Sequence, residues 1–196
     1  RAGAATPPGH PNIVLSVADD LGYGDFSCYE APQISTPAVD KLAASGLLFK
    51  RAYVASSICS PSRYSILTGR YSWRTPLKFG VLTWFARPLI EQNRSTLASL
   101  LKRNGYATAC VGKWHLGMDL ALKANAPPDP EQAVFDTWKP EAQDNIDFSK
   151  PITGGPLDRG FDYFFGLAGS LNMIPYVYIR NDHVVQPPSV PKTVYE

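Results

Sequence analysis

The sequence predicts an α/β fold, and three observations predict it. Two short, nearly continuous apolar runs, Asn12–Ala18 and Tyr106–Val111, have the length and composition of buried parallel strands. Stretches with helix start and stop signals lie between them. Each apolar run ends in charged residues and glycines, on the side where open α/β sheets bind ligands. The chain has 196 residues, 44% of them hydrophobic, which suffices for one globular core. Its formal net charge of +2 gives no case for nucleic acid or an anionic membrane as partner. No apolar run approaches the roughly 20 residues of a membrane-spanning helix.

Residues 1–10 are rich in Ala, Pro and Gly and read as a flexible mature N-terminus; removal of an export signal would explain such a start. The first strand, Asn12–Ala18, ends in Asp19-Asp20, then Leu21-Gly22-Tyr23-Gly24-Asp25. Backbone alternation points adjacent carboxylates in different directions, so a bend or a shared ion is needed to use both. Hard carboxylate oxygens suit calcium or magnesium. Thr36-Pro37 opens a helix through Ala44 with Gly46 as its stop, and Val39, Leu42 and Ala43 form its apolar face. Leu47–Val54 reads as a second strand.

Ser57-Ile58-Cys59-Ser60-Pro61-Ser62-Arg63, followed by Leu67-Thr68-Gly69-Arg70, reads as a loop running into a helix. Ser60 suits the N-cap, Pro61 the first helical position and Gly69 the C-terminal stop. Cys59 then sits just before a helix N-terminus, where unpaired N–H groups favour negative charge. Arg63, one helical turn on, can reach back toward it. Tyr71–Asn93 is irregular, aromatic and basic (Trp73, Arg74, Lys78, Phe79, Trp84, Phe85, Arg87). It either lines a pocket for an anionic, ring-containing substrate or packs locally as a surface loop.

Ser95 suits the cap of a helix carrying Leu97, Leu100 and Leu101, with Gly105 after it. The strand Tyr106–Val111 follows and ends in Gly112-Lys113-Trp114-His115-Leu116-Gly117. Two residues apart on an extended chain, Lys113 and His115 face the same way. Lysine supplies charge for an oxyanion; histidine moves protons near neutral pH. Residues 119–156 carry many of the chain's 18 prolines and read as an insertion-like loop. Arg159–Gly166 is an aromatic strand reaching Gly169-Ser170-Leu171-Asn172. Tyr176–Ile179, Asn181-Asp182 and Val184-Val185 read as a hairpin with an exposed His183 at its tip. Three cysteines make no disulfide framework; Cys110 reads as a buried thiol, and whether Cys28 reaches it is left open.

Cys-x-Pro-Ser-Arg with Leu-Thr-Gly-Arg, the Asp19-Asp20 loop and Gly-Lys-Trp-His-Leu-Gly together resemble the type I, formylglycine-dependent sulfatases of the alkaline phosphatase superfamily. A cysteine phosphatase loop does not fit, because it needs Cys-x5-Arg with an internal glycine. The resemblance implies a largely parallel central sheet with helices on both faces, incomplete in this chain, with residues 11–196 as the N-terminal part of the catalytic domain. It implies sulfate monoester hydrolysis by hydrated formylglycine made from Cys59 by a formylglycine-generating or other maturing enzyme. Asp19, Asp20 and the converted Cys59 would hold calcium, with magnesium the alternative. Arg63 and Lys113 would offset charge, Lys113 and Ser170 would bind the sulfate, and His115 would assist breakdown of the sulfated intermediate. It further implies a sulfated small molecule or saccharide as substrate and a periplasmic or secreted location. The later Asp-Asn pair, second histidine and second lysine of the family lie in a C-terminal part these residues do not include. A phosphonate monoester or phosphodiester hydrolase, and a non-catalytic binding protein, are the competing expectations.

Overall fold

The computed structural model describes residues 9–30, 33–82, 86–126, 144–173 and 176–189. Most of the expected flexible N-terminus, Trp84, Phe85 and the middle of the insertion-like loop lie outside these residues.

Helix α1, Pro37–Ser45, forms where Pro37 pre-sets the first helical φ, and it closes at Gly46. A side-chain knot anchors its start. Ser27 Oγ donates to Asp40 Oδ2 at 2.7 Å, and the Ser27 N–H donates to Thr36 Oγ1 at 3.0 Å. Its expected apolar face is not covered: Val39 and Ala43 are half-buried and Leu42 is 71% exposed. Helix α2, Cys59–Thr68, ends at Gly69 in the left-handed conformation, φ +67°. Helix α3, Leu97–Arg103, starts one residue later than expected: Thr96, not Ser95, is its cap. The Thr96 hydroxyl accepts from Ser99 N–H, and Ser99 returns the bond in a capping box. Lys102 and Arg103 lie where the helix dipole favours cations.

The sheet has the order β1-β2-β3-β4. Strand β1 is Ala109–Lys113 and pairs in parallel with β2, Tyr163–Leu167. Strand β3, Ile179–Arg180, runs antiparallel to β2 and forms the expected hairpin with β4, His183–Val184, turning through Asn181 at φ +58°. The sheet is therefore mixed, with one parallel pair among the described residues. Gly112 lies opposite Gly166, and a Cβ on Gly166 would stand 1.8 Å from the Gly112 carbonyl oxygen. Only glycine permits that approach.

The core is the space between α2, the segment Leu77–Ile90, the turn Trp114–Met118, and strands β2 and β3. Tyr64, Leu77, Leu82, Ile90, Leu116, Met118, Phe164 and Ile179 are its innermost side chains. The ends of the insertion-like loop are pinned to it. Bridges join Asp119 to Thr153 and Leu122 to Ile146, and Ile146 and Ile152 are buried.

Two expected strands are not strands. Residues 12–18 and 47–54 have no regular structure, and all their apolar side chains but half-buried Leu48 are exposed, Val14 by 88% and Tyr53 by 89%. An apolar run states a preference for burial; a strand also needs a neighbour offering its backbone ladder. Among the described residues β1 pairs with another strand on one edge only, with β2. Ile13, Leu15 and Val17 line a cavity of about 870 Å³ together with the residues of β1.

Candidate active site

Cys59 opens α2 rather than preceding it. Ile58 is the N-cap, in extended conformation (φ −131°, ψ 164°), and no side chain caps the helix. Ser60 is drawn inside the first turn because its hydroxyl is engaged elsewhere, accepting the Leu82 N–H at 3.1 Å. Pro61 still falls among the first residues, whose N–H groups have no partner within the helix. The Ser62 hydroxyl donates to the Ser56 carbonyl at 2.5 Å and ties the incoming loop to the helix.

The bend needed at the paired carboxylates is present: Asp20 has φ +57°, in the left-handed region that few non-glycine residues enter. With that turn, Asp19, Asp20 and Cys59 each bring one ligand atom within 4.8 Å of the others. Two cations face the carboxylates. Lys113 Nζ donates to Asp19 Oδ2 at 2.5 Å, and Arg63 Nη2 lies 3.5 Å from the same oxygen. Arg63 also donates through Nη1 to the Lys113 carbonyl, so it braces the end of β1 as well as Asp19. Burial pushes the Asp19 carboxyl upward. The hydrogen bond and charge of Lys113, the charge of Arg63 and a hydrogen bond with Cys59 outweigh it and hold the group below the usual carboxylate range. Two negative and two positive side chains thus stand in one cluster around position 59.

His115 does not share the direction of Lys113. Its φ of +57° breaks the extended path after the strand. Its N–H donates to the Ala168 carbonyl at 2.8 Å, and the ring is 1% exposed. Nε2 donates to the Leu82 carbonyl at 2.7 Å; Nδ1 has no partner among the described residues. Burial pushes its pKa down to about 4. The Leu82 hydrogen bond and Asp19 oppose the shift, while Lys113 and Arg63 reinforce it. The imidazole is therefore neutral at pH 7.

The cavity beside β1 carries the two carboxylates and the two cations at one end, and His115 is not among its lining residues. Asp19, Asp20, Arg63 and Lys113 line it, and so do Ser170 and Asn172 beyond the end of β2. Among the described residues the aromatic, basic loop does not line this cavity. Tyr71 and Trp73 stack with ring centroids 5.7 Å apart, Arg74 lies 5.1 Å over the Trp73 ring, and Lys78 donates to the Trp73 carbonyl at 2.8 Å. The loop packs locally, and its aliphatic residues enter the core. His183 is exposed at the hairpin tip and bonds Asp182 at 2.8 Å. All three cysteines are half-buried free thiols; Cys110, expected to be buried, instead lines the cavity, though partial burial still raises its pKa to about 11.

Sequence reasoning missed a second cluster that braces α2. The buried Tyr64 donates its hydroxyl to Glu91 Oε2 at 3.2 Å, and Arg70 and Arg94 reach Glu91 Oε1 at 3.4 and 3.2 Å. Glu91 lies 27 residues from Tyr64, so no local periodicity announces it.

The chain as a whole is similar to known proteins. The sulfatase family model covers residues 11–185, and the chain belongs to that family. It is 38% identical over 175 residues to an N-acetylgalactosamine-6-O-sulfatase of Bacteroides thetaiotaomicron, covering 89% of this chain and 30% of that protein. It is 49% identical over 108 residues to human arylsulfatase A, covering 55% of this chain and 21% of that protein. Human steryl-sulfatase is 36% identical over 160 residues, covering 77% and 27%. Among solved structures, a Bacteroides thetaiotaomicron sulfatase described with glycosaminoglycan metabolism superposes with a TM-score of 0.69 at 38% identity, over 85% of this chain and 30% of its own. The fold is thus that of the sulfatases, in the alkaline phosphatase class, and the chain spans under a third of the length of these relatives.

Proposed function

We propose that this chain supplies the nucleophile side of a sulfatase active centre that hydrolyses sulfate monoesters. The observation carrying the reading is the convergence of Asp19, Asp20 and Cys59 within 4.8 Å, faced by Lys113 and Arg63.

The donor set fits calcium once position 59 is converted. Asp19 and Asp20 offer hard carboxylate oxygens, whereas a cysteine sulfur is a soft donor; a formylglycine hydroxyl in its place makes the set all oxygen. Bound there, calcium would supply Lewis acidity toward a sulfate oxygen and lower the pKa of the coordinated hydroxyl, and magnesium is the hard-cation alternative. The hydrated aldehyde supplies an oxygen nucleophile whose second hydroxyl allows the aldehyde to re-form.

The chain's own residues do the rest. Arg63 holds Asp19 and the carbonyl of Lys113, which fixes the carboxylate against the end of β1. Lys113 balances Asp19 and carries the positive charge that would pair with a sulfate oxygen. Neutral His115 has a bare Nδ1 that can accept a proton from a hydroxyl. Ser170, on the same cavity wall, offers a hydroxyl to the ester. A sulfated saccharide is the substrate class we favour, supported by the names of the Bacteroides relatives. Maturation by a formylglycine-generating enzyme and a periplasmic or secreted location belong to the same reading. Among the described residues no helix is long and apolar enough to cross a membrane.

The test is the mass of the tryptic peptide Ala52–Arg63 from protein made in its native host. Replacement of sulfur by oxygen with loss of two hydrogens marks formylglycine. An intact thiol in active protein would overturn the mechanism. Relative turnover of an aryl sulfate and a phosphate diester by the full-length protein then separates a sulfatase from a phosphorus-ester hydrolase.

A further inference from the structure

We infer that Ser60 is a positioning residue for His115, acting through the backbone of Leu82. The inference rests on the proposed role of His115 as a proton acceptor. It adds a residue that does not line the cavity beside β1.

A neutral imidazole has two tautomers, and the bond made by one ring nitrogen decides which is present. A carbonyl oxygen only accepts. The 2.7 Å contact of Nε2 with the Leu82 carbonyl therefore places the hydrogen on Nε2 and leaves Nδ1 with its lone pair. Nδ1 is buried without a partner among the described residues. An unsatisfied buried polar atom costs roughly 1–3 kcal/mol, and such atoms are rare enough in native proteins to call for an explanation. The backbone at His115 adds a second cost through its φ of +57°. Both are explained if Nδ1 must be offered as an acceptor to a group absent from the polypeptide itself.

The Leu82 carbonyl belongs to no helix or strand. Its orientation is set by the other side of the same residue, because the Leu82 N–H donates to Ser60 Oγ at 3.1 Å. Ser60 is 0% exposed and stands next to Cys59 in the first turn of α2. A tether thus runs from the helix that carries the nucleophile position, through one residue, to the ring nitrogen. Removing the hydroxyl leaves the Leu82 N–H without its acceptor and frees the backbone at Leu82 to rotate, carbonyl included. The ring then loses its reason to keep hydrogen on Nε2. The other tautomer puts a donor where the chemistry takes an acceptor.

The experiment uses the full-length protein, matured and labelled with nitrogen-15 histidine. Long-range proton–nitrogen spectra distinguish a protonated ring nitrogen from a bare one. The wild type is expected to show Nε2 protonated and Nδ1 bare at neutral pH. Ser60→Ala is expected to mix the tautomers. Its aryl sulfate turnover, normalised to formylglycine at position 59 by peptide mass, should fall about tenfold or more, the scale seen when the partner orienting a functional histidine is lost. Ser60→Thr keeps the hydroxyl and should restore both readouts. A wild-type spectrum with the proton on Nδ1 would overturn the inference even if no variant folds. A Ser60→Ala protein with wild-type spectrum and rate would do the same. Undiminished turnover in His115→Ala would instead remove the proposed role of the histidine, while the tautomer spectra still decide whether Ser60 sets the ring.

Discussion

Lowering the pH from neutral should destabilise this fold through His115 before its carboxylates contribute. The ring is 1% exposed and its pKa falls from 6.5 to about 4, first by burial and then through the charges of Lys113 and Arg63. The folded pKa lies below the unfolded one, so between these values the unfolded chain binds more protons and stability rises with pH. At about 1.4 kcal/mol per pKa unit, the full shift removes roughly 3 kcal/mol by pH 4. That is a large part of the 5–15 kcal/mol typical of a domain. The assay is urea unfolding at a series of pH values, comparing wild type with His115→Gln, which keeps an N–H for the Leu82 carbonyl and does not titrate. Asp19, Glu91 and Asp162 have pKa values held below the carboxylate range. Their stabilisation is lost only as pH falls through those lowered values, and it cancels in the comparison. Wild type should lose roughly 3 kcal/mol more than the glutamine variant between neutral pH and about pH 4. Parallel profiles would refute the buried neutral ring.

Other outcomes follow from the same geometry. Gly166→Ala would drive a Cβ into the Gly112 carbonyl and should destabilise the β1–β2 pair by roughly 1–3 kcal/mol or more, read as a lower denaturation midpoint; a neutral result would mean the strands do not approach this closely. Cys110, with its thiol raised to about 11, should alkylate slowly in the folded protein and faster once unfolded; prompt labelling under native conditions would contradict the raised pKa. Asp19→Asn removes the carboxylate shared by Lys113, Arg63 and the candidate metal, and should abolish calcium binding measured by calorimetry on the full-length protein; retained affinity would move the site elsewhere.

What could be read in advance was whatever rests on neighbours in sequence. Pro37, Gly46 and Gly69 set helix ends within a residue or so, because caps and left-handed stops act locally. The hairpin at Asn181-Asp182 followed from its turn residues. The clustering of Asp19, Asp20, Cys59, Arg63 and Lys113 was legible from motifs that lie at the ends of the first apolar run, of β1 and at the start of α2. Failure came where a distant partner decides. Residues 12–18 and 47–54 look like strands in composition, yet a ladder is a property of two segments. Ser60 looked like a cap until Leu82, 22 residues away, claimed its hydroxyl. Lys113 and His115 looked parallel because alternation assumes an extended backbone, and a φ of +57° at His115 breaks that assumption.

The unpaired edge of β1 has a consequence for handling the polypeptide. A strand whose outer N–H and C=O groups pair with no other strand among the described residues, beside the exposed apolar side chains of residues 12–18, is a template on which another chain can add. Of the side chains along β1 only Lys113 is charged, and it is already occupied by Asp19. Among the described residues Arg63, donating to the Lys113 carbonyl, covers only that end of the edge. Produced by themselves, these residues should self-associate and sediment in proportion to concentration, and solubility should return when a segment able to complete the sheet is supplied in the same solution.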